Sequence, residues 1–123
     1  MININLDECA LEFIEKFPEY KQAYYEHIDY YDELLGHVFF GDSINKTLTE
    51  LLKKNDDIDT IQRYINFINL MYRMGDDAVK NIVIVTILEY LGDDKEVLTN
   101  AYYLFNNDII KASIENEKFL GRY

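Results

Sequence analysis

Apolar residues recur at every third or fourth position along most of the chain, a spacing that places them on one face of an α-helix. The first such stretch covers 6–17, where Asn5 and Glu8 form a capping-box pattern and Pro18, the only proline, ends the period. The same reasoning predicts further helices over about 19–35, 43–54, 60–74, 78–91, 95–105 and 108–120.

Short polar stretches separate these predicted helices. Asn55 suits a left-handed stop, and the tripeptide Gly-Asp-Asp occurs at 75–77 and again at 92–94. Two further capping boxes are predicted, by Asp59 with Gln62 and by Asp93 with Glu96.

An aromatic segment, His37-Val38-Phe39-Phe40-Gly41-Asp42, lies between the second and third predicted helices. Glycine can adopt turn conformations that other residues avoid, and aspartate is a strong helix cap. The segment therefore predicts a connector in which Gly41 turns the chain and Asp42 caps the helix that follows.

The stretch 81–88 is dense in β-branched residues and could form a buried strand. A helix over 78–91 is the preferred prediction, because the Gly-Asp-Asp punctuation repeats after 17 residues and no other segment offers a partner strand. A helix that is apolar nearly all round is expected at the centre of a bundle.

These patterns predict an all-α protein, a single helical bundle of about six to seven helices over residues 1–123. The repeated Gly-Asp-Asp junction is also compatible with helical hairpins of the HEAT type. Two copies fall short of the three repeats that a solenoid needs, so the expectation is a bundle with HEAT-like pairing.

The second predicted helix combines an inward apolar stripe with an outward carboxylate patch. Its stripe consists of Tyr20, Tyr24, His27, Tyr31 and Leu34. At 100° per residue the opposite face carries Glu26, Asp29 and Glu33, flanked by Asp32 and Tyr25.

The net charge of the chain is −11, and most of this charge lies in the first half of the sequence. Residues 1–60 hold 14 acids against 5 bases, and no Lys or Arg occurs between Gln22 and Asn45. Such a balance opposes binding to nucleic acid and to anionic membranes, and it favours basic protein partners. A solvated helix face is the alternative reading of the acidic run.

Candidate chemistry is sparse. Cys9 lies in an apolar pattern and predicts a buried thiol, and His27 on the stripe predicts a core histidine. His37 opens the aromatic segment, but zinc, di-iron and calcium motifs do not occur. The sequence therefore predicts no enzyme, no metal site and no cofactor. With no signal-peptide pattern and one cysteine, the expected location is the cytoplasm.

The segment 37–42 and the two Gly-Asp-Asp junctions resemble a group of small acidic bacterial proteins known only as a domain of unknown function. This resemblance covers about Phe13 to Leu104. In composition the chain is also similar to immunity proteins of bacterial toxin systems, a likeness of class that implies no catalytic residues.

The functional hypothesis is an acidic binding protein, an immunity-type inhibitor that masks a basic toxin. Its predicted partner-binding residues are Tyr25, Glu26, Asp29, Asp32, Glu33, His37, Phe40 and Asp42. The alternative is a HEAT-like structural or adaptor module that binds a peptide or forms a homo-oligomer through an apolar groove.

Overall fold

The computed structural model describes residues 3–123, and within them seven helices pack together with no β-strand. The prediction of an all-α bundle is confirmed. The helices are α1 (Leu6–Lys16), α2 (Lys21–Tyr31), α3 (36–54), α4 (Ile58–Met74), α5 (77–92), α6 (Lys95–Tyr102) and α7 (Asn107–Phe119). The first two residues of the predicted domain lie outside the described part.

Helix α5 is the centre of the bundle. It packs against α1, α3, α4, α6 and α7, and most of its apolar side chains, among them Val79, Ile82 and Ile87, are buried, whereas Val85 is exposed. The helical interpretation of 81–88 is therefore confirmed. The β-branched residues of this segment remain helical because neighbouring helices cover them on several sides, which outweighs their intrinsic preference for strands.

Two helices carry a wide turn with π-helical hydrogen bonding. In α3 it covers Gly41–Asn45, between Gly36–Phe40 and Lys46–Lys54, and in α5 it covers Val83–Leu88, between Asp77–Ile82 and Glu89–Gly92. The two wide turns pack against each other. Such turns insert an extra residue into a helix and often lie at functional sites.

The predicted connector at 37–42 is wrong, because α3 begins at Gly36 and runs through it. Gly41 has a right-handed helical conformation (φ −61°, ψ −50°) and does not turn the chain. Asp42 lies inside the wide turn and caps no helix in the part of the chain that the structure describes. Burial of Phe39 and Phe40 in the core holds this segment in a helix.

The second helix is shorter than predicted. Pro18–Tyr20 form a separate 3₁₀ turn, and α2 ends at Tyr31 because Asp32 adopts a left-handed conformation (φ 59°). Aspartate tolerates this conformation better than most residues. Asp32 and Glu33 consequently follow the helix and do not lie on its face.

The remaining helix ends follow some of the predicted caps and differ from others. Asn5 and Glu8 form the predicted capping box, and Asn55 is left-handed (φ 52°) as expected. The predicted caps of α4 and α6 are wrong. Asp57 caps α4 instead of Asp59, and Asp94 caps α6 instead of Asp93, each by accepting free backbone N–H groups.

An aromatic cluster forms the core between α1, α3 and α4. Phe13 packs against Phe17, Phe40 and Phe67 with ring centroids 5.0 to 5.5 Å apart. Cys9 lies beside this cluster as the predicted buried thiol. Within residues 3–123, no helix is both long and apolar enough to cross a membrane.

Candidate functional site

An open groove of about 500 Å³ lies between α2 and α3. We call it the acidic groove and define it by its lining side chains Tyr20, Glu26, His27, Tyr30, Tyr31, Phe39 and Asp42. Glu26 belongs to α2 and Asp42 to the wide turn of α3, so the packing of the two helices places a carboxylate on each wall.

The two carboxylates are available to a ligand. Both side chains are exposed, and in the described part of the chain neither takes part in an ion pair. Glu26 accepts one hydrogen bond of 2.9 Å from the Gln22 side chain. Tyr30 also lines the groove, four residues after Glu26 on α2, and 82% of its surface is exposed.

His27 forms part of the groove floor and is the core histidine that the sequence predicts. It is 9% exposed, and its Nε2 accepts a hydrogen bond of 3.0 Å from the backbone N–H of Leu35. This bond ties the end of α2 to the residue that precedes α3. His27 therefore has a structural role, fixing the two helices that form the groove.

A second opening of about 480 Å³, the polar cleft, lies where the two wide turns meet. Its lining side chains include His37, Asp42, Asn45, Lys46, Thr86 and Tyr90. Because Asp42 lines both the cleft and the acidic groove, the two openings are neighbours on one surface.

Hydrogen bonds from α3 to Thr86 hold the polar cleft together. Thr86 Oγ1 lies 2.5 Å from Nδ1 of His37, and its carbonyl accepts a bond of 3.1 Å from Nδ2 of Asn45. Asn45 is 7% exposed, and its Oδ1 is buried without a hydrogen-bond partner among residues 3–123. Lys46 and Asp42, four residues apart, do not form an ion pair within the described residues.

Of the eight predicted partner-binding residues, seven are exposed and one, Phe40, is buried. Glu26 and Asp42 meet in the acidic groove, and His37 joins Asp42 in the polar cleft. The other four exposed residues line neither opening: Tyr25, Asp29, Asp32 and Glu33.

The prediction that Phe40 contacts a partner is wrong. Its side chain is fully buried and packs edge-on against Phe13, with ring centroids 5.5 Å apart. The predicted connector would have exposed it, whereas the helix that actually forms turns it into the core. Among residues 3–123, no group of three or more His, Cys, Asp or Glu side chains could hold a metal ion.

One comparison with known proteins identifies the family. A family model described as a domain of unknown function, DUF7674, matches residues 10–121. The chain belongs to DUF7674. Searches of curated proteins and of solved structures returned no match. The DUF7674 match spans α2, α3 and α5, so both the acidic groove and the polar cleft lie within the family domain.

Sequence reasoning did not identify several lining residues of this DUF7674 surface. Tyr30 was not among the predicted contacts, although five of the eleven tyrosines lie within 20–31 and that density is a usable signal. Thr86 and Tyr90 come from α5, and only the packed structure brings them to α3.

Proposed function

We propose that this protein binds a basic segment of a protein partner in the acidic groove and does not act as an enzyme. The observation that supports this proposal is that Glu26 of α2 and Asp42 of α3 line one groove together with the exposed Tyr30. Aromatic rings beside unpaired carboxylates suit Lys and Arg side chains, which combine an apolar stem with a charged end.

The charge distribution supports the same proposal at long range. The chain carries a net charge of −11, and the sequence from Ala23 to Ile44 contains no Lys or Arg. The electric field of such a charge distribution accelerates association with positively charged proteins and repels negatively charged ones.

We further propose that the partner is a basic bacterial toxin domain, which this chain masks in the cytoplasm as an immunity protein does. Three features support this finer proposal. The chain is small and acidic, its acidic groove is open, and the sequence has no catalytic motif. Masking requires that the complex be tight, and buried tyrosines with desolvated charge pairs are the contacts that make interfaces tight.

The groove can be tested with a peptide of stated composition, acetyl-Lys-Lys-Leu-Phe-Leu-Lys-Lys-amide, and fluorescence anisotropy. We expect the Glu26→Lys, Asp42→Lys double variant to bind it at least tenfold more weakly. The matched control is Glu50→Lys with Glu115→Lys, which makes the same charge change at exposed positions outside the groove. Equal loss in both double variants would show that net charge, and not the groove, determines binding.

Immunity requires its own test. The product of the neighbouring gene would be produced in a bacterial host, once alone and once together with this protein. Growth of the two cultures would be measured. Rescue by the natural chain, together with loss of rescue by the Glu26→Lys, Asp42→Lys variant, is the expected result. Rescue that persists in that variant would contradict masking through the acidic groove.

A further inference from the structure

A third opening, the basic groove, lies between α1 and α4 and contrasts with the rest of this acidic surface. It has a volume of about 460 Å³ and is lined by Lys16, Phe17, Arg63, Phe67, Leu70 and Arg73, together with Asn66. Three of the twelve basic residues of the chain thus border one groove whose floor is aromatic and aliphatic.

The cations lie at the two ends of this groove. Arg63, Leu70 and Arg73 follow one another on α4 at helical spacing, so they form one stripe along the groove. At a rise of about 1.5 Å per residue, the ten residues from Arg63 to Arg73 span about 15 Å. Lys16 joins the Arg63 end, because Nη2 of Arg63 donates a hydrogen bond of 3.2 Å to the Lys16 carbonyl.

Arg63 is held in place before any ligand arrives. Its guanidinium carbon lies 4.7 Å from the centre of the Phe17 ring, in addition to the bond to Lys16. The ammonium of Lys16 is partly neutralised by Glu12 at 3.4 Å. Within residues 3–123, neither Arg63 nor Arg73 forms an ion pair, so their charges are free to meet an anion.

We propose that the basic groove binds an acidic peptide segment of a second protein, with carboxylates at both ends of a short apolar stretch. Two cationic ends require two anionic ends, and the apolar floor between them requires apolar side chains. A fatty acid carries one carboxylate and would leave one end unmatched. An extended peptide advances about 3.4 Å per residue, so carboxylates four to five residues apart would reach both ends.

Binding of an acidic peptide could not come from a general attraction of the protein for anions. The chain as a whole repels acids, and at about 0.15 M salt that repulsion is screened beyond about 8 Å. Binding at this ionic strength would therefore report the local contacts of the groove. The basic groove shares no lining residue with the acidic groove, so the protein would hold partners of opposite charge at two sites.

The test uses labelled acetyl-Glu-Glu-Leu-Phe-Leu-Glu-Glu-amide and fluorescence anisotropy at about 0.15 M NaCl. We expect Arg63→Gln and Arg73→Gln each to weaken binding about threefold, and the double variant about tenfold, as exposed ion pairs do. The matched control Lys53→Gln with Lys54→Gln removes the same charge at the exposed end of α3 and should leave the affinity unchanged. Thermal melting of each variant confirms that it is folded.

Three results would overturn the proposal. They are undiminished binding in the double variant, an equal loss in the lysine control, and displacement of the labelled peptide by laurate at a lower concentration than by the unlabelled peptide. A peptide with carboxylates at one end only, Glu-Glu-Leu-Phe-Leu-Gln-Gln, should bind more weakly than the two-ended one. None of these outcomes depends on the acidic groove, whose own variants leave Arg63 and Arg73 in place.

Discussion

Arg122, which follows α7, forms an ion pair with Glu117 of α7, at 2.6 Å between Nη2 and Oε2. The Glu117 side chain is 2% exposed, whereas that of Arg122 is 29% exposed. Arg122 also bonds to Asp93 at 2.7 Å and to the Glu89 carbonyl at 3.0 Å. The pair therefore ties the C-terminal residues to the end of the central helix α5.

Removing Arg122 should destabilise the protein markedly, because a buried carboxylate would lose its main counter-charge. We expect Arg122→Leu to lower the free energy of unfolding by roughly 2–3 kcal/mol in urea denaturation, less than for a fully buried pair. Arg73→Leu, which removes an exposed arginine without an ion pair in the described residues, should change it by less than about 0.5 kcal/mol. Similar small effects in both variants would contradict the role of the pair.

Gly75 allows two helices to meet closely, which no larger residue could do. A Cβ atom there would lie 2.3 Å from the Met71 carbonyl and 2.5 Å from Val79. Gly75→Ala should therefore lower the unfolding free energy by roughly 1–3 kcal/mol, the usual penalty of overpacking.

Gly41 provides the contrast, because a Cβ there would meet its nearest neighbour, a methyl of Thr86, at 3.4 Å, and the residue is helical. Gly41→Ala should be neutral or stabilising by up to about 1 kcal/mol. Urea denaturation of the two variants side by side measures the difference. A larger loss in Gly41→Ala than in Gly75→Ala would contradict the packing described around the two glycines.

Burial of the Cys9 thiol should make stability depend on alkaline pH. Burial, with smaller contributions from Asp76 and Glu12, raises the pKa of Cys9 to about 12, whereas a free thiol ionises near pH 8.5. Between these values the unfolded chain loses the proton and the folded chain keeps it. Stability contributed by the neutral thiol is therefore lost progressively as pH rises above about 8.5.

Urea denaturation between pH 8 and 10 measures this effect. The natural chain should lose stability more steeply than Cys9→Ala, since both carry every other titrating group. The thiol of the folded protein should also react with disulfide reagents only as fast as the protein unfolds. Identical pH slopes in the two proteins, or rapid labelling of the folded state, would be inconsistent with a buried thiol.

Asn45 holds the two wide turns together through its bond to the Thr86 carbonyl. Asn45→Asp replaces the donating amide by a carboxylate, which cannot donate and would face that carbonyl. We expect a loss of roughly 1–3 kcal/mol in unfolding free energy, the cost of an unsatisfied buried group. Asp42→Asn, at an exposed neighbouring position, should stay within about 0.5 kcal/mol.

The periodic pattern predicts the helices well where a single apolar face continues without interruption. Helix α4 begins two residues before the predicted Thr60 and ends at the predicted Met74, and α5 is helical despite its β-branched residues. These elements succeed because local spacing and tertiary burial agree, which makes the sequence pattern sufficient.

The pattern fails where tertiary burial changes the local outcome. Nothing in the order of residues 37–42 shows that Phe39 and Phe40 would both be buried, and glycine with aspartate is a common turn signal. The end of α2 at Asp32 depends in the same way on the bond between His27 and Leu35. The sequence pattern placed Glu26 and Asp29 on the exposed side of α2, but it did not show that Asp32 and Glu33 would follow the helix.

The acidic groove itself could not have been predicted from helix α2 alone. Glu26 and Asp42 are sixteen positions apart, and they share a groove only because α3 packs beside α2. The basic groove was missed for the same reason, since Lys16 belongs to α1 and Arg63 to α4. The helical periodicity of a sequence does not show which distant residues come into contact.

The paired wide turns in α3 and α5 have a consequence for how the length of this chain can vary. A residue deleted from a regular helix rotates everything beyond it by about 100° and turns buried side chains outward. Deletion of one residue within 41–45 or 83–88 would instead convert the wide turn to a regular one and leave both flanks in phase. Among relatives of this protein, single-residue gaps inside helices are therefore expected at these two places.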